Sequence, residues 1–560
     1  MKKRNSGMKK LFAVFMAAAM SCGGAACGGG PVEQVEGIAG TITLNYFLSG
    51  YGDEWIRAVV DDYTKNVNSS AKIELKSNGA NADMLDKIKA GTGDDMYIAN
   101  ANCFELSDFL MPLDDVLDMT VYDETDEKVR DRVGADKIEY YLEDGHLYQF
   151  PQNQKYGYTW IYNKTVLDEA FGSEEAYHLP RTTDEFLKMG DDLYGKGVFL
   201  SATAIGNGAR SDQDYLEKAW NAWFGQMLGN EAHAKFYDGM YLDDDGEWVR
   251  DPDSSDNLFN RNHTAVEAVY ALADKLCVSI NTAQKKGETK TVQYLHSNST
   301  GMQYKDLDVL FYGGQLSGRT FPRYAFIYSG AWLERETSSY DAIGVVDMSA
   351  NEVYPMKTPV ISAITWRTPT IADDATLAAV VDYVDGVTTE KPTGVSDDDV
   401  EIVREARNME NEASSETILI TKNTRYPDLC KDFLRYLVSD RAQQVAARAC
   451  SGVPILPYGY EPTDEDMGFE ISDFIKEYER LSRDNVIVNI RYYNQVFTRK
   501  CNMSWFGDTS VIGSNTLAKV LYSNEKAPAV SEIVAKSISK FNPRWKDAVR
   551  ETEAALGTAD

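Results

Sequence analysis

Histidine and cysteine are both scarce in this chain. The 560 residues hold five histidines, His146, His178, His233, His263 and His296, with no HExxH or HxH spacing. A metal centre built on imidazole is therefore not expected. The seven cysteines, Cys22, Cys27, Cys103, Cys277, Cys430, Cys450 and Cys501, include no CxxC pair. That spacing argues against a zinc ribbon, and the spread is too thin for a disulfide framework. The last five are read as ordinary half-buried side chains. GxSxG, HExxH and P-loop patterns are missing too, so no catalytic residue, cofactor or metal is expected. With 87 acidic residues, a carboxylate pair for glycoside hydrolysis is the enzyme reading that composition leaves open. Long apolar runs are lacking beyond the first twenty residues, so nothing later reads as a membrane span. Positive charge is in deficit: the formal net charge is -30, with no basic stripe to offset it. Such a surface repels nucleic acid and anionic membranes.

What is abundant is apolar and aromatic mass. Hydrophobic residues make up 43% of the chain, enough for large packed cores. The length implies two or three domains. Tyr 33, Phe 21 and Trp 9 are more rings than one site can use, so any single ring is core until something else marks it.

The first residues read as a targeting segment. "MKKRNSGMKK" is basic, "LFAVFMAAAM" is an apolar stretch too short to span a bilayer, and "SCGGAACGGG" follows. This resembles a bacterial lipoprotein signal over residues 1–21, with Cys22 (or Cys27) as the lipidated residue and 22–37 as a flexible, glycine-rich tether. The mature chain is then expected on the outer face of the cell membrane.

Beyond the tether, "TITLNYF" alternates as a strand. "YGDEWIRAVVDDYTKNV" turns and continues as an amphipathic helix, and "AKIELKSN" is a second strand. A further helix and a strand at Met96–Ala99 complete a β-α-β-α-β order, which predicts an α/β fold with a parallel, doubly wound sheet. "YGYTWIYN" is read as an alternating strand, with Trp160 in the core. Trp220 and Trp223 share one helix face. "DDDVEIVREARNME" is read as helix through Glu410, and "YPDLCKDFLRYLVSDRAQQVAARA" as one long helix. "DDDGEW" lacks the spacing of a calcium loop and reads as a hairpin turn.

Three stretches together resemble the extracellular solute-binding proteins of sugar-type ABC importers, family 1, which are maltose-binding-protein-like. The first is "LYQFPQNQKYGYTWIYNKTVLDEAFG…LPRTTDEFL", with Pro151, Tyr162, Asn163, Lys164, Pro180, Thr182, Asp184 and Glu185. The second is "RYAFIYSGAW", an apolar strand ending in Gly330 and Trp332. The third is "ILITKNTRYPDLCKDFLRYLVSDRAQQ…SGVP", with Phe433, Leu437, Ser439, Asp440, Gly452 and Pro454. The segments between Tyr340 and Ser414 and near Asp243–His296 exceed the family's usual length and carry no inference from it.

The resemblance implies a type II periplasmic-binding-protein-like fold. Two α/β lobes would close about a hinge on a ligand, with crossings near Asn153–Tyr156, Ser414–Glu416 and Pro454–Pro457. Lobe 1 is then 38–154 plus 415–455, and lobe 2 is 155–414 plus 456–560. It implies a monomer, tethered by lipid, that passes a carbohydrate, expected to be an oligosaccharide, to the permease subunits of an ABC transporter. A sugar offers apolar C–H faces and many hydroxyls, so rings, carboxylates and amides at strand ends are the expected contacts. Tyr51 and Glu54 follow the first strand. Asn100 and Asn102 follow the third. Asn153 and Tyr156 lie at the first crossing. Trp332 is placed by motif, and Trp505 stands near where the family carries another cleft Trp. The rival readings are a cell-surface glycoside hydrolase and a binding protein for a peptide or polyamine.

Overall fold

The computed structural model describes residues 37–78, 81–99, 103–122, 126–143, 145–153, 157–204, 215–296, 304–411, 415–483, 486–488, 501, 517–523 and 528–556. Its principal strands, in chain order, begin with β1 (Gly40–Phe47), β2 (Ala71–Asn78), β3 (Met96–Ala99), β4 (Phe150–Asn153), β5 (Thr159–Asn163) and β6 (Phe199–Ser201). There follow β7 (Tyr324–Ser329), β8 (Val353–Met356), β9 (Met409–Asn411), β10 (Ser415–Ile420) and β11 (Val486–Val488). They form two main sheets, one in each lobe of a two-lobed α/β fold.

The first sheet has the order β2-β1-β3-β10-β4. β1 buries Ile42, Leu44 and Tyr46 on one face, as its alternation predicts. The helix Glu54–Asp62 covers that face with Trp55, Ile56, Val59 and Val60. β1 runs parallel to β2 and β3, but β10 is antiparallel to both β3 and β4. The sheet is therefore mixed and not parallel throughout, because β10 returns from the far end of the sequence.

The second sheet has the order β8-β5-β7-β6. β5 does not alternate as expected: Thr159, Trp160 and Ile161 are all buried. It is a central strand between β8 and β7, and the burial of consecutive residues means that both faces of the sheet are covered there. Trp160, Trp220 and Trp223 lie in this core, fully buried. Asn163 ends β5 and caps the next helix, its Oδ1 accepting from the Val166 backbone N–H at 3.1 Å. The Tyr-Asn-Lys motif is thus a strand-to-helix joint. Thr182 does the same for Thr183–Tyr194, accepting from Glu185 N–H at 3.2 Å.

Other expectations are corrected. The helix from Asp397 ends at Arg407, and Met409–Asn411 is β9, paired in parallel with the distant β11. The long C-terminal-side helix is two helices, Pro427–Leu437 and Asp440–Ala449. Ser439 is extended between them, and its hydroxyl accepts from Ala442 N–H at 3.2 Å, so the chain caps and restarts. Cys103, Cys277, Cys430, Cys450 and Cys501 are fully buried, not half-buried, and none is in a disulfide. Among the described residues no helix is long and apolar enough to cross a membrane.

The two main sheets are joined where the chain leaves β4 at Asn153 and enters β5 at Thr159, and the chain returns to the first sheet where it passes from β9, which pairs with β11, to β10. The segments that follow β1 and β7 meet through the rings of Tyr51 and Trp332.

Candidate functional site

β1 ends at Phe47 and the chain turns through Ser49–Gly52, with Gly52 N–H donating to Ser49 O at 3.1 Å. Gly52 has φ +76°, a conformation that a side chain would strain. The turn delivers Tyr51 to the junction between the lobes, where it is 1% exposed. From the other lobe β7 ends at Ser329, and Gly330 and Ala331 lead to Trp332 at the start of helix Leu333–Asp341. A Cβ on Gly330 would lie 2.2 Å from the Trp332 ring. Glycine there lets the indole fold back across the backbone.

The two rings meet edge to face, centroids 6.1 Å apart at 89°. Trp332 also stands edge-on to Tyr158 at 4.8 Å and to Tyr215 at 5.8 Å. The Lys218 ammonium lies 4.5 Å from the Tyr158 ring centroid. Beneath the rings, a cavity of about 20 Å³ is lined by Tyr158, Thr159, Glu410 and Tyr478. That is room for roughly one water.

Polar groups frame the rings. Glu54 pairs with Arg335 across the junction at 2.7 Å, and Arg335 Nε donates to the Tyr51 carbonyl at 3.4 Å. Glu336 faces Gly50 so closely that a Cβ there would be 2.7 Å from its Oε1. Burial pushes the carboxyls of Glu336 and its neighbour Asp308 upward. Burial also pushes Glu416 up to about 8 and Glu410 up to about 7. Glu410 is held by the Thr358 N–H and hydroxyl, both at 2.8 Å. By contrast Trp332 Nε1, Glu416 Oε1 and both amide atoms of Gln152 have no hydrogen-bond partner among the described residues, whereas Glu336 and Asp308 share a side-chain hydrogen bond. An unpartnered buried polar atom costs about 1–3 kcal/mol. Several at one junction fit a surface that a polar ligand completes.

Of the residues singled out from sequence, Tyr51, Glu54 and Trp332 come together here. Asn153 ends β4, its backbone in register with Ser415. Asn100, Asn102, Tyr156, Trp505, Cys22 and Cys27 lie outside the described residues. Sequence reasoning missed Tyr158, Tyr215, Arg335, Glu336, Gln152 and Glu416. Tyr158 had a usable signal: it stands two residues before the buried Trp160, on the same strand face but at the strand's open end. The acids had none, being a few among 87.

The fold is a two-lobed α/β fold with an aromatic and polar junction between its lobes. Residues 49–289 match the model of a family described as bacterial extracellular solute-binding protein. Among curated proteins none matches the chain. Solved structures share its fold at low identity. A chitin oligosaccharide binding protein superposes with a TM-score of 0.54 at 14% identity, covering 90% of this chain and 100% of its own. RafE in complex with raffinose gives 0.52 at 14% identity, covering 90% and 100%. A probable secreted solute-binding lipoprotein from Streptomyces coelicolor gives 0.52 at 14% identity, covering 90% and 98%.

Proposed function

We propose that this protein is the extracytoplasmic solute-binding component of an ABC importer, that it captures a carbohydrate between its lobes, and that it hands the sugar to the permease. The observation that carries the reading is the junction itself. Tyr51 from one lobe and Trp332 from the other meet edge to face, ringed by buried polar groups without partners. Aromatic faces suit the C–H faces of a pyranose, and the polar groups suit its hydroxyls. The binding of chitin oligosaccharide and raffinose by proteins of this fold supports the same ligand class. A ligand that binds the closed arrangement better than the open one draws the lobes together. In this reading the lobes are 38–154 plus 415–455 and 155–414 plus 456–560, and the protein works as a monomer.

The test is thermal melting against chitotriose, raffinose, maltotriose, galactose, spermidine and a short peptide. The right sugar raises the melting temperature by mass action and is recovered intact. New reducing ends, formed in proportion to protein, would make it a hydrolase. A shift with spermidine or peptide alone would remove carbohydrate as the ligand.

The anchor is part of the proposal. Cys22 (or Cys27) carries lipid after cleavage of the signal, and the glycines beyond it give the lobes reach to a membrane-embedded permease. Changing both Cys22 and Cys27 to Ser is expected to release the protein into the medium, read by fractionation and immunoblot. Retention in the membrane fraction without lipid would contradict this.

A further inference from the structure

Gln152 on β4 and Glu416 on β10 are register partners in the antiparallel ladder of the first sheet. Directly opposed residues project from the same sheet face. Both stand at the ends of their strands, one step from where the chain passes between the lobes: β4 stops at Asn153, and β10 starts at Ser415. They are 1% and 2% exposed. Tyr51 lies near enough that Glu416's charge would oppose ionisation of its hydroxyl. The pair therefore belongs to the same junction as the Tyr51–Trp332 contact.

Structural acids in this lobe are built differently. Asp432 accepts from the Tyr63 hydroxyl at 2.6 Å and from the Tyr122 hydroxyl at 2.7 Å. Asp62 accepts from the Tyr436 hydroxyl at 2.6 Å and from Arg441 Nε at 2.7 Å. Gln149, three residues before Gln152, uses its Oε1 to accept from Cys103 N–H at 2.7 Å and leaves only Nε2 without a partner among the described residues. Gln152 uses neither amide atom, and Glu416 leaves Oε1 unused, among the described residues. Two facing side chains with spare capacity, side by side and buried, are costly to fold unless a third party uses them.

We propose that Gln152 and Glu416 form one polar anchor that takes a neutral vicinal diol of the ligand. This deepens the carbohydrate reading and rests on it. A carboxamide offers one donor group and one acceptor. A protonated carboxyl offers the same, and burial keeps Glu416 largely in that form at pH 7. Together the pair presents donors and acceptors in equal measure and no net charge. Two adjacent hydroxyls, each both donor and acceptor, complement it. An ammonium group needs the ionised carboxylate, and a phosphate or carboxylate ligand finds no cation in the pair.

The experiment uses the full chain and the variants Gln152→Leu, Glu416→Leu and Glu416→Gln. Each is titrated calorimetrically with raffinose, chitotriose, maltotriose, galactose and spermidine, and each is melted without ligand. The expected result is a loss of about thirtyfold or more in sugar affinity for Gln152→Leu and Glu416→Leu. Glu416→Gln, which keeps a neutral donor and acceptor, should stay within about threefold of the parent. The ligand-free melting temperatures should be unchanged or raised, since the leucines remove unpartnered polar atoms. Parent-like sugar affinity in both leucine variants would overturn the anchor and leave the carbohydrate reading standing. A leucine variant that melts well below the parent would make the pair structural and overturn the proposal. Loss of binding in Glu416→Gln equal to that in Glu416→Leu, or binding of spermidine in place of sugar, would mean an ionised carboxylate and overturn the neutral diol. A parent protein that binds none of the sugars would overturn the carbohydrate reading and the diol with it.

Discussion

Trp332→Ala is expected to weaken sugar binding by roughly 1–3 kcal/mol, the value of burying a large apolar side chain. That is about tenfold to a hundredfold in affinity. The indole touches Tyr51 across the junction, and its other ring neighbours, Tyr158 and Tyr215, lie at the same junction. Its Nε1 has no partner among the described residues, so its removal breaks no internal hydrogen bond. Trp332 is 4% exposed; in the proposed hinge opening it is uncovered, so melting without ligand should hardly change. Trp160 is the control. It is fully buried between Phe186, Trp223 and Tyr328, deep in the second lobe. Trp160→Ala should cost about 3–5 kcal/mol of stability. Calorimetric titration beside thermal melting separates the two. Unchanged affinity with collapsed melting for Trp332→Ala would make it a core residue.

Stability of the ligand-free protein is expected to fall by about 2–3 kcal/mol between pH 6.5 and 8.5. Glu410 and Glu416 are buried carboxyls pushed up to about 7 and about 8 from an ordinary 4.5. In this range the folded protein holds protons that the unfolded chain has already released, so stability is present on the acid side and is lost as pH rises through the folded values. Glu336 and Asp308 are raised as well and act in the same direction. His233 is buried and pushed down to about 3, which favours the folded state as pH rises. Most of its effect lies below 6.5, the ordinary imidazole value, and only about 0.4 kcal/mol of it opposes the carboxyls inside this window. Urea unfolding at pH 6.5, 7.5 and 8.5 reads the slope, and Glu416→Gln should flatten it. A flat or rising profile in the parent would mean that these carboxyls are ionised at neutral pH.

The first β-α-β-α-β run was legible because each segment advertises its own period. β1 alternates, and the following helix places Trp55, Ile56, Val59 and Val60 on one stripe. β5 was read with the wrong pattern because both faces of the sheet are covered there, a fact of tertiary packing. Met409 and Glu410 looked like the end of a helix. Their pairing with Val486–Val488 lies more than seventy residues away, where local propensity has no say. Ser439 could have been read as a cap between two helices, since serine followed by aspartate is a helix start as well as a helix interior. At the site, Tyr51 and Trp332 were reachable because each ends a recognisable strand. Gln152 and Glu416 were not, because what marks them is burial without a partner, and no sequence window reports that.

The central claim is that the two lobes close on a sugar. Its most direct test is the distance between spin labels at Lys72→Cys, on β2 of the first sheet, and Lys188→Cys, on the helix Thr183–Tyr194 of the second lobe. Both lysines are exposed, with side chains 68% and 74% accessible. Cys103, Cys277, Cys430, Cys450 and Cys501 are buried and will not compete for label, and Cys22 and Cys27 are replaced by Ser. Double electron–electron resonance should show a broad, longer distance without ligand and a narrow, shorter one at saturating sugar. The same distance with and without bound sugar would contradict closure, and with it the account of Tyr51 and Trp332 as the two halves of one site.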